Sequence, residues 1–139
     1  MLLPAAIAAV LVVAAPVLAR TVTGTAGANT LPGSVEKDLL LGLGGNDRLY
    51  GFNGDDRLYG GAGDDLLVGG VDSDRLYGGP GDDAILASDG DRDMILCGLG
   101  RDTVIADRGD GTVDCENVTR HGSVSGADDA DTVPVANGN

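Results

Sequence analysis

The sequence predicts an all-β fold: a two-sheet parallel solenoid built from nonapeptide repeats, with eighteen residues in each coil. Three observations predict it. From Gly24 onward the chain repeats every nine residues, the sixth place carries a carboxylate in eight of the ten units, and the eighth carries an aliphatic side chain. Helix is excluded, because glycine at this density breaks helices and nine residues do not return to one helical face.

The chain opens on "MLLPAAIAAVLVVAAPVLA", which holds no charged residue and no glycine. Residues 1–19 are therefore expected to be a secretory signal peptide, cleaved after the small-residue end at Ala19. A retained membrane anchor is the alternative reading of the same stretch. Either way, all 22 acidic and nine basic residues lie beyond it, and the formal charge is -13. So acidic a chain repels nucleic acid and suits the collection of cations. With one Phe and no Trp, a large aromatic core is excluded.

Residues 20–120 carry the repeats: GTAGANTLP, GSVEKDLLL, GLGGNDRLY, GFNGDDRLY, GGAGDDLLV, GGVDSDRLY, GGPGDDAIL, then, after Ala87 as an extra residue, SDGDRDMIL, CGLGRDTVI and ADRGDGTVD. The sixth place holds Asn29, Asp38, Asp47, Asp56, Asp65, Asp74, Asp83, Asp93 and Asp102. The eighth holds Leu31, Leu40, Leu49, Leu58, Leu67, Leu76, Ile85, Ile95, Val104 and Val113. Glycines in places one to five supply turn conformations, and places seven to nine read as a very short strand with only the eighth side chain inward. Two units per coil, stacked about 4.8 Å apart, sandwich the aliphatic ladder between two parallel sheets.

In such a coil, residues eighteen apart stack. Asp47, Asp65, Asp83 and Asp102 form one column, and Asp38, Asp56, Asp74 and Asp93 the other. Like charges at that spacing repel, and a hard divalent cation between successive turns would turn the repulsion into attraction, with turn carbonyls completing an oxygen shell. The ion that fits is calcium. Cys97 and Cys115, also eighteen apart, are expected one above the other and disulfide-bonded in an oxidising compartment, clamping a C-terminal capping coil.

"GLGGNDRLY", "GGAGDDLLV" and "GGPGDDAIL" resemble the GGxGxDxUx nonapeptide of RTX, or hemolysin-type, calcium-binding repeats, where U is a large apolar residue. The resemblance covers about residues 24–114. It implies a parallel β-roll with several calcium ions in the turns, held in the clean units by Asp47, Asp56, Asp65 and Asp83. Units containing Asp38, Asp74 and Asp93 depart from the glycine pattern, and Asn29 is neutral, so weaker sites are implied there. Asp65, between two clean neighbours, is expected to matter more than Asp93.

Other chemistries find little support. Asp89, Asp91 and Asp93 imitate the start of an EF-hand loop, but Met94 and Gly100 stand where its glycine and glutamate belong. Zinc lacks ligands, since His121 is the only histidine and the cysteines number two. No catalytic constellation accompanies that histidine, so an enzyme is not expected. Outward Leu41, Tyr59, Tyr77 and Leu96 on one sheet, and Tyr50, Val68, Leu86 and Ile105 on the other, are expected to pack across strands; a protein or glycan surface is the alternative. Residues 121–139 lose the period and read as a disordered acidic tail. The sum is a secreted calcium-binding protein, with a cell-surface adhesive module or the orphaned accessory domain of a secreted hydrolase as alternatives.

Overall fold

The computed structural model describes residues 19–122; the expected leader, up to residue 18, and the expected tail beyond residue 122 lie outside the described residues. Twelve strands follow one another with no helix among the described residues. They are β1 (Thr21–Thr23), β2 (Thr30–Ser34), β3 (Leu39–Gly44), β4 (Arg48–Asn53), β5 (Arg57–Ala62), β6 (Leu66–Val71), β7 (Arg75–Pro80), β8 (Ala84–Ala87), β9 (Met94–Leu99), β10 (Thr103–Asp107), β11 (Gly111–Val113) and β12 (Asn117–His121). Odd strands form one six-stranded sheet in the order β1-β3-β5-β7-β9-β11, and even strands the other, β12-β10-β8-β6-β4-β2. Every neighbour pair is parallel, and in the centre each residue pairs with the one eighteen further on, as Leu40 does with Leu58 and Leu49 with Leu67. This is the parallel β-roll that the period predicts.

The core is the aliphatic ladder. Leu40, Leu49, Leu58, Leu67 and Leu76 are fully buried, and Ile85, Ile95 and Val104 continue the two stacks. A period of two puts alternate side chains on one face of a strand, so one inward residue from each sheet meets its counterpart at every level. Val22 and Val118 extend the ladder at the two ends.

Four expectations change. Six of the twelve strands, β3 to β7 and β9, run for six residues, into the start of the next unit, because the backbone stays extended and paired there. The eighth place is not alone in facing inward: the first and sixth are buried too, as Cys97, Ala106 and the aspartates show. Ala87 is not the extra residue; it pairs with Ala106 inside β8 and the insertion falls in the turn at 88–93. A compensating deletion follows, since Gly111 pairs with Met94 seventeen residues back. Thr112, paired with Ile95, therefore takes the ladder place assigned to Val113, which is half exposed.

Cys97 and Cys115 are bonded, with their Cα atoms 5.1 Å apart, inside the range a disulfide accepts. The geometry differs from a simple stack. With β9 and β11 paired at an offset of seventeen, the place beneath Cys97 falls to Asp114, and the loop after β11 brings Cys115 across instead.

Candidate metal centre

Two rows of turns run along opposite edges of the roll. Turns after even strands hold Asp38, Asp56, Asp74, Asp93 and Asp110; turns after odd strands hold Asn29, Asp47, Asp65, Asp83, Asp102 and Glu116. Each carboxylate sits immediately before a strand, so the strand's register fixes it over its counterpart in the next coil.

One oxygen of each carboxylate is accounted for. In the even row, Asp38 donates its backbone N–H to Oδ1 of Asp56 (2.6 Å), Asp56 to Asp74 (2.8 Å), Asp74 to Asp93 (2.8 Å) and Asp93 to Asp110 (3.0 Å). In the odd row, Asn29 donates to Asp47 (2.7 Å), Asp47 to Asp65 (2.7 Å), Asp65 to Asp83 (2.8 Å), Asp83 to Asp102 (2.9 Å) and Asp102 to Glu116 Oε2 (3.0 Å). Each aspartate thus reaches back one coil, and its own carbonyl receives an N–H from the next, as Asp38 receives that of Arg57.

The other oxygen has no partner. Oδ2 of Asp38, Asp47, Asp56, Asp65, Asp74, Asp83, Asp93 and Asp102 is buried and makes no hydrogen bond. Buried polar atoms are nearly always satisfied, and a buried unpaired charge is costlier still. The cost shows in the acidities. Burial, reinforced by neighbouring carboxylates and only partly offset by the backbone hydrogen bond, pushes the Asp74 carboxyl up to about 8, Asp83 and Asp93 to about 7 and Asp56 to about 6. Asp65 and Asp102 move the same way for the same first cause.

The first glycine of the unit makes room for this oxygen. A Cβ on Gly42 would come within 2.5 Å of Asp47 Oδ2, and one on Gly69 within 2.5 Å of Asp74 Oδ2. Among the described residues no three His, Cys, Asp or Glu side chains converge on one point. A metal held here would take hard oxygen ligands from the stacked carboxylates and the turn carbonyls. Orphaned carboxylate oxygens in a glycine-lined row are a donor set that suits calcium.

A family profile described as the RTX calcium-binding nonapeptide repeat (four copies) matches residues 32–67 and 59–94. Residues 32–94 therefore carry RTX-type calcium-binding repeats. A comparison with curated proteins found no match, and one with solved structures found none either. The matched repeats and the β-roll fold together support a calcium-binding repeat protein.

The rows hold residues that the RTX pattern did not point to. Asp110, buried and at the end of the even row, was hidden by the frame that placed Gly111 sixth in its unit; Glu116 closes the odd row after a turn shortened further. The signal that finds both is a carboxylate directly before a strand. Asn29 behaves differently from the aspartates, since its Oδ1 accepts from Thr25 N–H (2.5 Å) and Thr25 Oγ1 (3.1 Å) within its own turn.

Proposed function

We propose that this RTX protein is a secreted calcium-binding module whose two rows of stacked aspartates hold the ions and whose coils close on binding them. Asp47, Asp56, Asp65, Asp83 and Asp102 are the principal ligands, with Asp38, Asp74 and Asp93 in the same rows and Asn29 a weaker neutral donor at one end. The observation that carries the reading is the repeated orphaned Oδ2, buried beside a glycine at six successive levels from Asp38 to Asp83. At neutral pH a buried carboxylate needs either a proton or a cation, and a chain of charge -13 gains most from the cation. Because the site is assembled only when coils stack, ion affinity becomes folding free energy.

Export agrees with the apolar leader, the disulfide and the millimolar calcium that weak sites need, about 10⁻⁴ to 10⁻³ M. The outward tyrosines do not favour an adhesive platform. Tyr59 and Tyr77 stack on one another at 4.4 Å and 3°, spending their faces on each other. The test is a calcium titration of the calcium-free chain followed by circular dichroism and calorimetry. The reading expects saturable binding with a gain of β structure, and no heat of binding at millimolar calcium would overturn it.

A further inference from the structure

The even row of turns has an arginine at each end. At the N-terminal end Arg20 stands in register with the aspartates: its backbone N–H donates to Asp38 Oδ1 at 2.6 Å, and its carbonyl accepts the N–H of Leu39 at 2.8 Å, the same two links that join Asp38 to the next coil. The place that a repeat gives to an anion is held by a cation. Its guanidinium Nη2 turns onto the carbonyls of Pro32, at 3.4 Å, and Gly33.

At the other end Arg120, on β12, reaches the last even turn. Its Nη1 donates to the carbonyls of Asp107 (3.0 Å) and Asp110 (3.2 Å), and its Nη2 to Thr112 Oγ1 (2.9 Å). The odd row ends otherwise, on neutral Asn29 and anionic Glu116. Read along its length, the even row runs from a cation through five aspartates to a cation.

An ion bound between two coils draws ligands from both. The first and last turns have a coil on one side only, so a calcium ion there would lose half its shell. A guanidinium carries its charge on a tether, is charged at any ordinary pH, and donates in a fixed fork that suits several carbonyls at once.

We propose that Arg20 and Arg120 are resident cations that close the even row at both ends, taking carbonyl oxygens at turns where calcium would be incompletely held. The proposal rests on the calcium reading above and adds that calcium is confined to the inner turns of this row. It also makes the two rows unequal, since among the described residues the even row alone is closed by arginines.

The experiment compares calcium midpoints of Arg20→Gln, Arg120→Gln and the conservative Arg20→Lys and Arg120→Lys with those of Arg48→Gln and Arg101→Gln, whose positions are exposed. The glutamine variants at the two ends should raise the midpoint about threefold or more, as loss of charged hydrogen bonds predicts. The lysine variants should raise it less. In saturating calcium, amide exchange should quicken in β1 and β2 for Arg20→Gln and in β11 and β12 for Arg120→Gln, with the centre unchanged. Midpoints equal to those of Arg48→Gln and Arg101→Gln would reduce the effect to net charge and overturn the proposal. A wild-type chain that ignores calcium would instead overturn the functional reading beneath it.

Discussion

The central coils and the last coil of the roll solve the same problem with different chemistry. From Asp47 to Asp83 the register holds at eighteen, carboxylates stack level by level, and no covalent link joins one coil to the next. Beyond Ala87 the spacing between aligned carboxylates becomes nineteen, then seventeen in one row and fourteen in the other. There the Cys97–Cys115 bond and the Arg120 guanidinium take over. Where the repeat is regular, strand pairing, the aliphatic ladder and the carboxylate–N–H links join the coils; where it fails, the chain adds a disulfide and a guanidinium.

Removing calcium should give the largest effect, and give it mainly in the centre. At pH 7.5 the calcium-free chain should lose most of its far-ultraviolet β signal, while the disulfide keeps the last coil compact. A spectrum unchanged by chelator would break the comparison. The same chain should answer to acid. The row carboxyls are raised when folded, to between about 6 and about 8 at Asp56, Asp83, Asp93 and Asp74. Folding therefore takes up protons. The stability this supplies is complete below the ordinary value of 3.8 and is lost as pH rises through the folded values. Calcium-free protein should show more β structure at pH 5 than at pH 8, and a β signal that grows with pH would contradict the sign.

Single carboxylates come next. Asp65→Asn keeps the acceptor for the Asp47 N–H and removes only the charge, so its calcium midpoint should rise several-fold in a titration followed by circular dichroism. The repeat pattern ranks Asp93 well below Asp65. The structure narrows that gap, because Asp93 has neighbours on both sides, accepting from Asp74 and donating to Asp110. Asp93→Asn should raise the midpoint in the same direction, and exposed Asp91→Asn should not.

How much of this was legible in the sequence follows from what fixes a register. The ladder of Leu40, Leu58 and Leu76 is readable because a slip of one residue would turn every apolar side chain outward, so the core enforces the period. Turns are under no such constraint. A residue added at 88–93 and one removed before Gly111 alter only surface chain, and a nine-residue frame carried through them misplaces Ala87, Thr112 and Asp110 together. The burial of the aspartates was legible but not read. The sixth place lies two residues before the inward eighth, so the alternation carried one step back into the turn turns the aspartate inward; ending the strand at place seven hid this.

Breaking the C-terminal fastening should cost less than emptying the rows. Cys97→Ala with Cys115→Ala should lower stability by about 3 kcal/mol, the loop-entropy value for a closure of this length. In saturating calcium the loss should be local, with faster amide exchange in β11 and β12 and little change in β5 or β6. Equal loosening of the centre would mean that the two regions are not independently held.

The smallest effect should come from relieving strain inside the regular region. Leu43 sits at φ 79° with its side chain more than half exposed, at a place where the aligned Gly61 has φ 104°. For a residue with a Cβ the left-handed region costs roughly 1–2 kcal/mol, while glycine adopts it freely but loses more chain entropy on folding, about 0.5–1 kcal/mol. The two terms oppose, and strain is the larger. Leu43→Gly should therefore stabilise the calcium-loaded protein by about 0.5–1 kcal/mol, measured as a rise in thermal midpoint. Leu43→Ala keeps the strained backbone and should give no such gain. If alanine stabilised as much as glycine, the benefit would come from removing an exposed apolar side chain, and the turns of the central coils would have no need of glycine at this place.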